Sequence, residues 1–277
     1  MLHAVVHALK DTLIVLPILF ITYFIIELIE HKAGEKANRI IAASGKAGPL
    51  LGSLIGLIPQ CGFSGAAASL FAVGTVTTGT LLAVFLSTSD EMIPILISAS
   101  IPAKEIILIL LIKFLSGVLF GFVVDIIYKR KQRLTIEHMC ESENCRCEHD
   151  GVLVSAIKHT LKIVLIVFAV SCGLNIIFEL IGENNLQQII ISVPVVGELV
   201  TAVIGLIPNC SASILLTDLY VENAISMGQL VSGVCVNAGV GLIVLYRANK
   251  NLKENLTITA VLYGFGVITG IIVSLFV

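Results

Sequence analysis

The sequence Gly56-Leu57-Ile58-Pro59-Gln60-Cys61 recurs as Gly205-Leu206-Ile207-Pro208-Asn209-Cys210. In both places the motif closes an apolar run and opens a run rich in Gly, Ala and Ser. A repeat of this length with one conservative change indicates an internal duplication. We therefore expect a first membrane repeat over residues 1–128, a polar linker over 129–151 and a second membrane repeat over 152–277.

The composition indicates a membrane protein. Of 277 residues, 57% are hydrophobic and 13% are charged. Apolar runs at 13–28, 106–127, 163–181 and 258–277 approach or reach the ~20 residues that cross a bilayer as a helix. The alternating ~10-residue segments of a β-barrel are not evident. The first run has no small-residue cleavage site after it, so we expect it to remain as a membrane span.

Each half divides into four apolar pieces in the same order. In the first half these are a plain span at about 11–30, a run at about 48–73 broken by Pro-Gln-Cys-Gly, a run at about 77–101 broken by Ser-Thr-Ser-Asp-Glu, and a plain span at about 105–128. The pattern predicts an all-α polytopic membrane protein. Each repeat should contain three membrane-crossing helices, one of them broken, and one re-entrant helical hairpin.

The basic residues favour inverted repeats. With three crossings in each half, one side of the membrane receives the basic residues of 32–46, of the linker and of 247–253, and the other side receives only Lys10 and Lys104. The positive-inside rule makes the first side cytoplasmic. We therefore expect the inner (plasma) membrane as the location, with a cytoplasmic linker and both termini external.

The two Pro-Gln/Asn-Cys tips are predicted to line a polar cavity. Non-helical backbone at membrane depth persists only where protein or water satisfies its polar groups. Freed amides at the following helix start favour an anion or a polarisable group, and two thiols suit a soft ion. The predicted substrate-binding residues are Pro59, Gln60, Cys61, Gly62, Ser64, Pro208, Asn209, Cys210, Ser211 and Ser213. The alternative is a kinked, packed helix in which both cysteines are structural.

A second group of candidate residues interrupts the third piece. Carboxylates inside a span are costly and mark a cation or proton path, which suggests coupling to protons or Na⁺. The predicted site residues here are Ser87, Thr88, Ser89, Asp90 and Glu91, with Asn237 in the matching region of the second half. The alternative is an interfacial turn, where acidic residues are ordinary. Lys113, inside the fourth span, either pairs with one of the acids or snorkels to the interface.

The linker has a metal-binding composition, with three Cys and two His within twelve residues. The candidate ligands are His138, Cys140, Cys145, Cys147 and His149. Cytoplasmic thiols stay reduced, so a soft metal ion or Zn²⁺ is the expected ligand rather than a disulfide. The spacing matches no closed zinc motif, and the alternative is a plain solvated linker. We expect no cofactor to be required.

The tips, the duplication and the Cys/His linker together resemble the heavy-metal exporter family that is described with ten membrane segments and named for a relationship to arsenical permeases. The resemblance covers nearly the whole chain and is most specific at 56–62, 205–211 and 87–91. It implies efflux of a metal or metalloid. Arsenic and manganese both appear in the labels applied to such proteins.

The sequence therefore predicts a secondary transporter, not an enzyme, that exports a metal, metalloid or other small ion by alternating access around the two tips. Its expected partners are the lipid bilayer and the transported ion, with no nucleic acid. The alternative is a membrane enzyme or flippase acting on a lipid phosphate. The tips lack the Arg, His or acid cluster that phosphate cleavage needs, and a flippase lacks its headgroup counter-charge. The substrate, the coupling ion, the direction of transport and the oligomeric state do not follow from these patterns.

Overall fold

The computed structural model describes residues 47–58, 62–89, 91–128 and 195–276, together with separate helical positions between 16 and 24 and between 153 and 172. The regular structure of these residues is entirely α-helical, which confirms the predicted all-α class. The helices of the four continuous ranges are α1 Gly48–Gly56, α2 Gly62–Ala72, α3 Thr78–Ser87, α4 Met92–Ser98, α5 Ala103–Ile127, α6 Val196–Gly205, α7 Cys210–Val221, α8 Met227–Val236, α9 Val240–Ala248 and α10 Leu252–Phe276.

Helices α1–α5 and α6–α10 begin and end at corresponding positions. The residue offset that relates Gly56 to Gly205 also relates Thr77 to Ser226, the N-caps of α3 and α8. Each cap side chain accepts a hydrogen bond from the backbone N–H three residues later. Such caps satisfy one of the free amides at a helix start. The two halves therefore use the same local device to start equivalent helices.

The turns that follow α2 and α7 are also equivalent. Gly74 and Asn223 both have positive φ, at 84° and 59°. The next residue in each turn, Thr75 or Ala224, donates its N–H to a carbonyl five residues back, at 2.9 and 2.8 Å. This is the hydrogen-bond pattern of a Schellman motif, which favours Gly or Asn at the left-handed position. Only short connections then lead into α3 and α8.

Small residues allow the helices of the first half to pack closely. A Cβ atom at Gly48 would overlap the side chain of Thr80, and one at Gly56 would overlap Ser87. Helix α1 therefore lies beside α3 and runs in the same direction. A Cβ atom at Gly121 would lie 2.8 Å from the carbonyl oxygen of Gly79, near the start of α3. Helix α5 is therefore antiparallel to α3. Small interface residues of this kind are typical of membrane helices.

The second half repeats these contacts. Helix α6 runs along α8 in the same direction, since Gly197 lies against Gln229 and Gly205 lies against Gly233. Helix α10 packs antiparallel to α8, since a Cβ atom at Gly270, near the end of α10, would lie 2.6 Å from the carbonyl oxygen of Gly228, near the start of α8. Each half is thus a close-packed trio of helices, α1/α3/α5 or α6/α8/α10.

The interrupted helix pairs occupy the centre of the molecule. In an 18-residue apolar window of each long stretch, the buried share of the residues is 71% for Thr78–Ser98 and 89% for Met227–Ala248. It is only 28% for Ala103–Ile127 and 39% for Leu252–Phe276. The uninterrupted helices α5 and α10 therefore face outward. On α5 the exposed face is a stripe at every fourth position, formed by Ile107, Leu111, Leu115 and Leu119. An apolar stripe of this length matches a lipid-facing surface.

The two halves contact one another through reciprocal pairs of short helices. Helix α2 of the first half packs against α9 of the second, and α7 of the second half packs against α4 of the first. The outer helices also meet, because Phe120 of α5 stacks on Phe265 of α10 with ring centroids 4.1 Å apart. Each half therefore supplies two short helices that pack against the other half.

Candidate functional site

The site is built around two interruptions in the buried helix pairs. Helix α3 ends at Ser87 and α4 begins at Met92, while α8 ends at Val236 and α9 begins at Val240. A helix that stops leaves its last carbonyls and the next helix's first amides without intrahelical partners. Both interruptions therefore expose backbone polar groups inside the protein.

In the first half, hydroxyl groups bond back to carbonyls at the end of α3. Ser87 Oγ donates to the carbonyl of Ala83 at 2.7 Å, and Thr88 Oγ1 donates to that of Val84 at 2.7 Å. Ser89 Oγ donates to the carbonyl of Ser87 at 3.0 Å. All three hydroxyl side chains are at most 3% exposed. Because their hydrogens are engaged with the backbone, these hydroxyls have only lone pairs left for a ligand.

In the second half, Asn237 occupies the corresponding position. Its Oδ1 accepts the N–H of Gly239 at 2.8 Å, and Gly239 has φ 51°. The same side chain is 1% exposed, and its Nδ2 has no hydrogen-bond partner within the described part of the chain. A buried amide donor without a partner destabilises the folded state, because the desolvation of its N–H groups is not compensated. This nitrogen is therefore suited to donate to an acceptor atom of a bound ligand or water.

Lys113 of α5 crosses from the first half to the second. The side chain is 0% exposed, and Nζ donates to the carbonyl oxygen of Val234 at 2.5 Å. Lys113 also lies beside the buried Cys235 thiol, which shares a hydrogen bond with Ser116. Snorkelling to the interface is therefore wrong for this lysine. The signal in the sequence was one Lys inside a long apolar helix, but its partner in the other half was not predicted.

Described residues beside both predicted tips lie near the interruptions. Gly56, which precedes the first tip, contacts Ser87 at the end of α3, and Gly205, which precedes the second, contacts Gly233 near the end of α8. Just after the first tip, Ser64 of α2 lies against Gly241 of α9, where a Cβ atom would be 2.9 Å from Ser64 Oγ. The structure thus brings the end of α1 to the first interruption and the start of α2 to the second.

The predicted residues after the tips are mostly buried. Gly62, Ser64, Asn209, Cys210 and Ser213 are buried, whereas Pro208, Ser211 and Glu91 are partly exposed. Asn209 Nδ2 donates to Ser211 Oγ at 3.2 Å, and Ser213 Oγ donates to the Cys210 carbonyl at 2.9 Å. These polar groups form a local network at the start of α7.

Several predicted site residues fall outside the described part of the chain. These are Pro59, Gln60, Cys61 and Asp90, together with the linker residues His138, Cys140, Cys145, Cys147 and His149. Among the residues that are described, no group of three or more His, Cys, Asp or Glu side chains could hold a metal ion. The linker metal site and the approach of Cys61 to Cys210 stay predictions.

Two acidic residues that were not predicted as important each join two helices within one trio. Asp125, near the end of α5, accepts the Thr77 hydroxyl at 2.7 Å and the Gly79 N–H at 2.8 Å. Glu198, at the start of α6, accepts the Ser274 hydroxyl at 2.6 Å. The available signal was an acidic residue in the terminal turn of an apolar helix. Both contacts lie away from the interruptions, so they serve packing within each half.

Four helical stretches in the described residues have the length and composition to cross a membrane: Thr78–Ser98, Ala103–Ile127, Met227–Ala248 and Leu252–Phe276. With polar interruptions buried in two of these stretches, the fold is that of a multi-pass membrane protein. Residues 1–181 match the family described as "Putative, 10TM heavy-metal exporter", and the chain belongs to that family. Neither the curated proteins nor the solved structures gave a match.

Proposed function

We propose that the protein exports a metal, metalloid or other small ion by alternating access around the two hairpin tips and the two interruptions. The observation that carries the proposal is the contact between Ser64 and Gly241, because it joins the helix start after the first tip to the interruption of the other half. Buried helix ends from two repeats that meet at one point are the arrangement in which many transporters bind their substrate.

The packing supports re-entrant hairpins. Helices α1 and α3 start at the same level, since Gly48 lies against Thr80, and they run in the same direction. Helix α2 connects the end of α1 to the start of α3, and the connection from Ala72 to Thr78 is short. Helix α2 must therefore return towards the side from which α1 came. The equivalent contacts of α6 and α8 support the same path for α7.

One hydrogen bond supports the inverted relation of the repeats. Tyr220 ends α7, next to the start of α8, and its hydroxyl donates to Glu105 Oε2 at 3.0 Å. Glu105 lies in the first turn of α5, about 24 Å along that helix from Gly121. Gly121 packs against Gly79 at the start of α3, so Glu105 lies far from that start. Helices α3 and α8 therefore start at opposite ends of the molecule. Parallel repeats would leave Tyr220 and Glu105 too far apart to bond.

The inverted arrangement also supports the sidedness that the basic residues indicate. It brings the α9–α10 connection, which contains Lys250, to the end of the molecule at which α5 ends and the linker begins. Both segments carry basic residues, so that end is cytoplasmic by the positive-inside rule. The inner (plasma) membrane is the location that fits this distribution. In this arrangement the Cys/His linker captures metal on the cytoplasmic side and tunes transport, while Asp90 or Glu91 couples it to protons or Na⁺.

Replacing the amide side chains of the tips with Leu tests the proposal. Gln60→Leu and Asn209→Leu remove polar partners without adding charge, and each should lower transport at limiting substrate by at least tenfold, or about 1.4 kcal/mol. The measurement is flux of arsenite, Mn²⁺ or Zn²⁺ in proteoliposomes of purified protein, with lipid-phosphate scrambling as a further arm.

Thr257→Leu is the matched control, because Thr257 is exposed on α10 and its hydroxyl bonds within its own helix. It should transport as the wild type does. Wild-type flux that survives both tip substitutions would move the substrate path away from the tips. Lipid scrambling without ion flux would replace the exporter with the flippase alternative.

A further inference from the structure

The two interruptions differ in the groups that act on the carbonyls at the end of the preceding helix. In the first half, the hydroxyls of Ser87, Thr88 and Ser89 donate to these carbonyls, and the Phe85 carbonyl accepts the Thr88 N–H at 3.3 Å. The corresponding residues of the second half are Val236, Asn237 and Ala238, which carry no hydroxyl. The carbonyl that corresponds to that of Phe85 is Val234, and a group from the other half acts on it.

That group is the ammonium of Lys113. The last helical hydrogen bond of α8 runs from Asn237 N–H to the Gly233 carbonyl, so the Val234 carbonyl lies beyond it. Lys113 Nζ donates to this carbonyl at 2.5 Å from the other half of the protein. The repeat counterpart of Lys113 is Leu262, an aliphatic residue that is also 0% exposed. The first interruption therefore receives no equivalent ammonium from α10.

The carboxyl end of a helix suits a monovalent cation. It carries partial negative charge from its dipole and its unpaired carbonyls, and broken helices in transporters coordinate Na⁺ or protons with such ends. An ammonium group can occupy the same kind of position, since it is a compact point charge that donates to carbonyl oxygens. We propose that the carboxyl end of α8 is a monovalent-cation site and that the Lys113 ammonium is its built-in occupant.

The built-in cation has two effects. It supplies positive charge at the end of α8 without a bound ion, and it fastens the interrupted helix of the second half to α5 of the first. Cys235 and Ser116 flank the ammonium, and both are polar but uncharged as a thiol and a hydroxyl. The proposal concerns this contact alone and holds whichever solute the protein transports.

Chemical rescue tests the site without a transport assay. Lys113→Ala removes the atoms of one propylammonium ion, so the variant should have a Tm several degrees below that of the wild type in choline chloride. At equal ionic strength, propylammonium or potassium should restore at least half of that loss. The measurement is thermal unfolding of purified full-length protein in detergent, and the wild type should unfold at the same temperature in all of these salts.

Two further variants complete the test. Leu262→Ala opens an apolar cavity at the repeat position and should lose Tm equally in every salt. Lys113→Met keeps the volume without the charge and should be destabilised with no recovery, whereas Lys113→Arg should keep most of its Tm. Equal recovery by Leu262→Ala, no salt-specific recovery by Lys113→Ala, or a Met variant as stable as the wild type would each overturn the proposal. If the Ala variant cannot be purified in any salt, the Met and Arg variants decide between these outcomes.

Discussion

Gly56 is the residue at which α1 approaches the end of α3. A Cβ atom there would overlap Ser87 Oγ and would lie 2.7 Å from the Val84 carbonyl oxygen. The backbone atom of Val84 cannot move without bending α3, and Ser87 is held by its own hydrogen bonds. The absence of a side chain at Gly56 is therefore a condition for this contact.

Gly56→Ala should lower stability because it forces two packed helices apart. The expected loss in the free energy of unfolding is about 1–3 kcal/mol, the usual range for overpacking. Thermal unfolding in detergent measures it. Gly264→Ala is the matched control, since a Cβ atom at Gly264 of α10 meets nothing within 4 Å. A Gly56→Ala protein as stable as Gly264→Ala would contradict the close contact between α1 and α3.

At the residue scale, local signals were sufficient to find the interruptions but not their partners. Polar residues in an apolar run and Pro between Gly-rich segments are visible in a short window, so Ser87 and Asn237 could be named from sequence. The contact of Lys113 with Val234 depends on how two distant halves pack, and no local pattern contains that information. Asp125 was missed for a similar reason, since its partners Thr77 and Gly79 lie on another helix.

Helices α3 and α5 are joined at one end by the Asp125 carboxylate, which receives a hydroxyl and a backbone N–H from the first turn of α3. Asp125→Ala leaves both donors without this acceptor and should cost about 1–3 kcal/mol of stability. Asp125→Asn keeps an acceptor oxygen and the same shape, so it should lose clearly less. Thermal unfolding of both variants separates them, and equal losses would mean that the charge rather than the hydrogen bonds matters.

Element boundaries could be predicted closely where turn chemistry is strong. The expected broken run at about 77–101 corresponds to α3 and α4, and the expected plain span at about 105–128 corresponds to α5. The sequence did not reveal that the interrupted pairs are central and the plain helices peripheral. That difference arises from the glycine contacts that pack α3 and α8 between their neighbours, and it accords with the lower hydropathy of the two interrupted stretches.

At the scale of the whole molecule, the proposed inverted arrangement predicts that the α4–α5 and α9–α10 connections face opposite sides of the membrane. In a cysteine-free background, Ser100→Cys should react with an impermeant maleimide added outside intact cells. Lys250→Cys, at the equivalent end of the second half, should react only after the membrane is opened. Labelling of both positions from the same side would contradict inverted repeats and would favour parallel ones.

The duplication itself was readable from the sequence because the motif at 56–61 recurs almost unchanged. The proposed relative direction of the repeats rests on a charge argument, and a contact between distant residues, Tyr220 and Glu105, supports it. The substrate is not encoded in any pattern of this kind. Membership of the exporter family supplies the class of activity, and the chemistry of the tips has to be measured to supply the rest.

The pairing of Lys113 with an aliphatic counterpart has a consequence for the resting state of the protein. In the proposed carrier, identical inverted halves would relate the inward-open and outward-open forms by a two-fold axis and give them equal energy. Lys113 donates a hydrogen bond to the end of α8, whereas its counterpart Leu262 has no polar group that could bond to α3. In the proposed mechanism, an ammonium present in one half alone removes that equality, provided that its contact differs between the two forms. We therefore expect the empty carrier to have a preferred side to which it opens before any gradient or substrate acts on it.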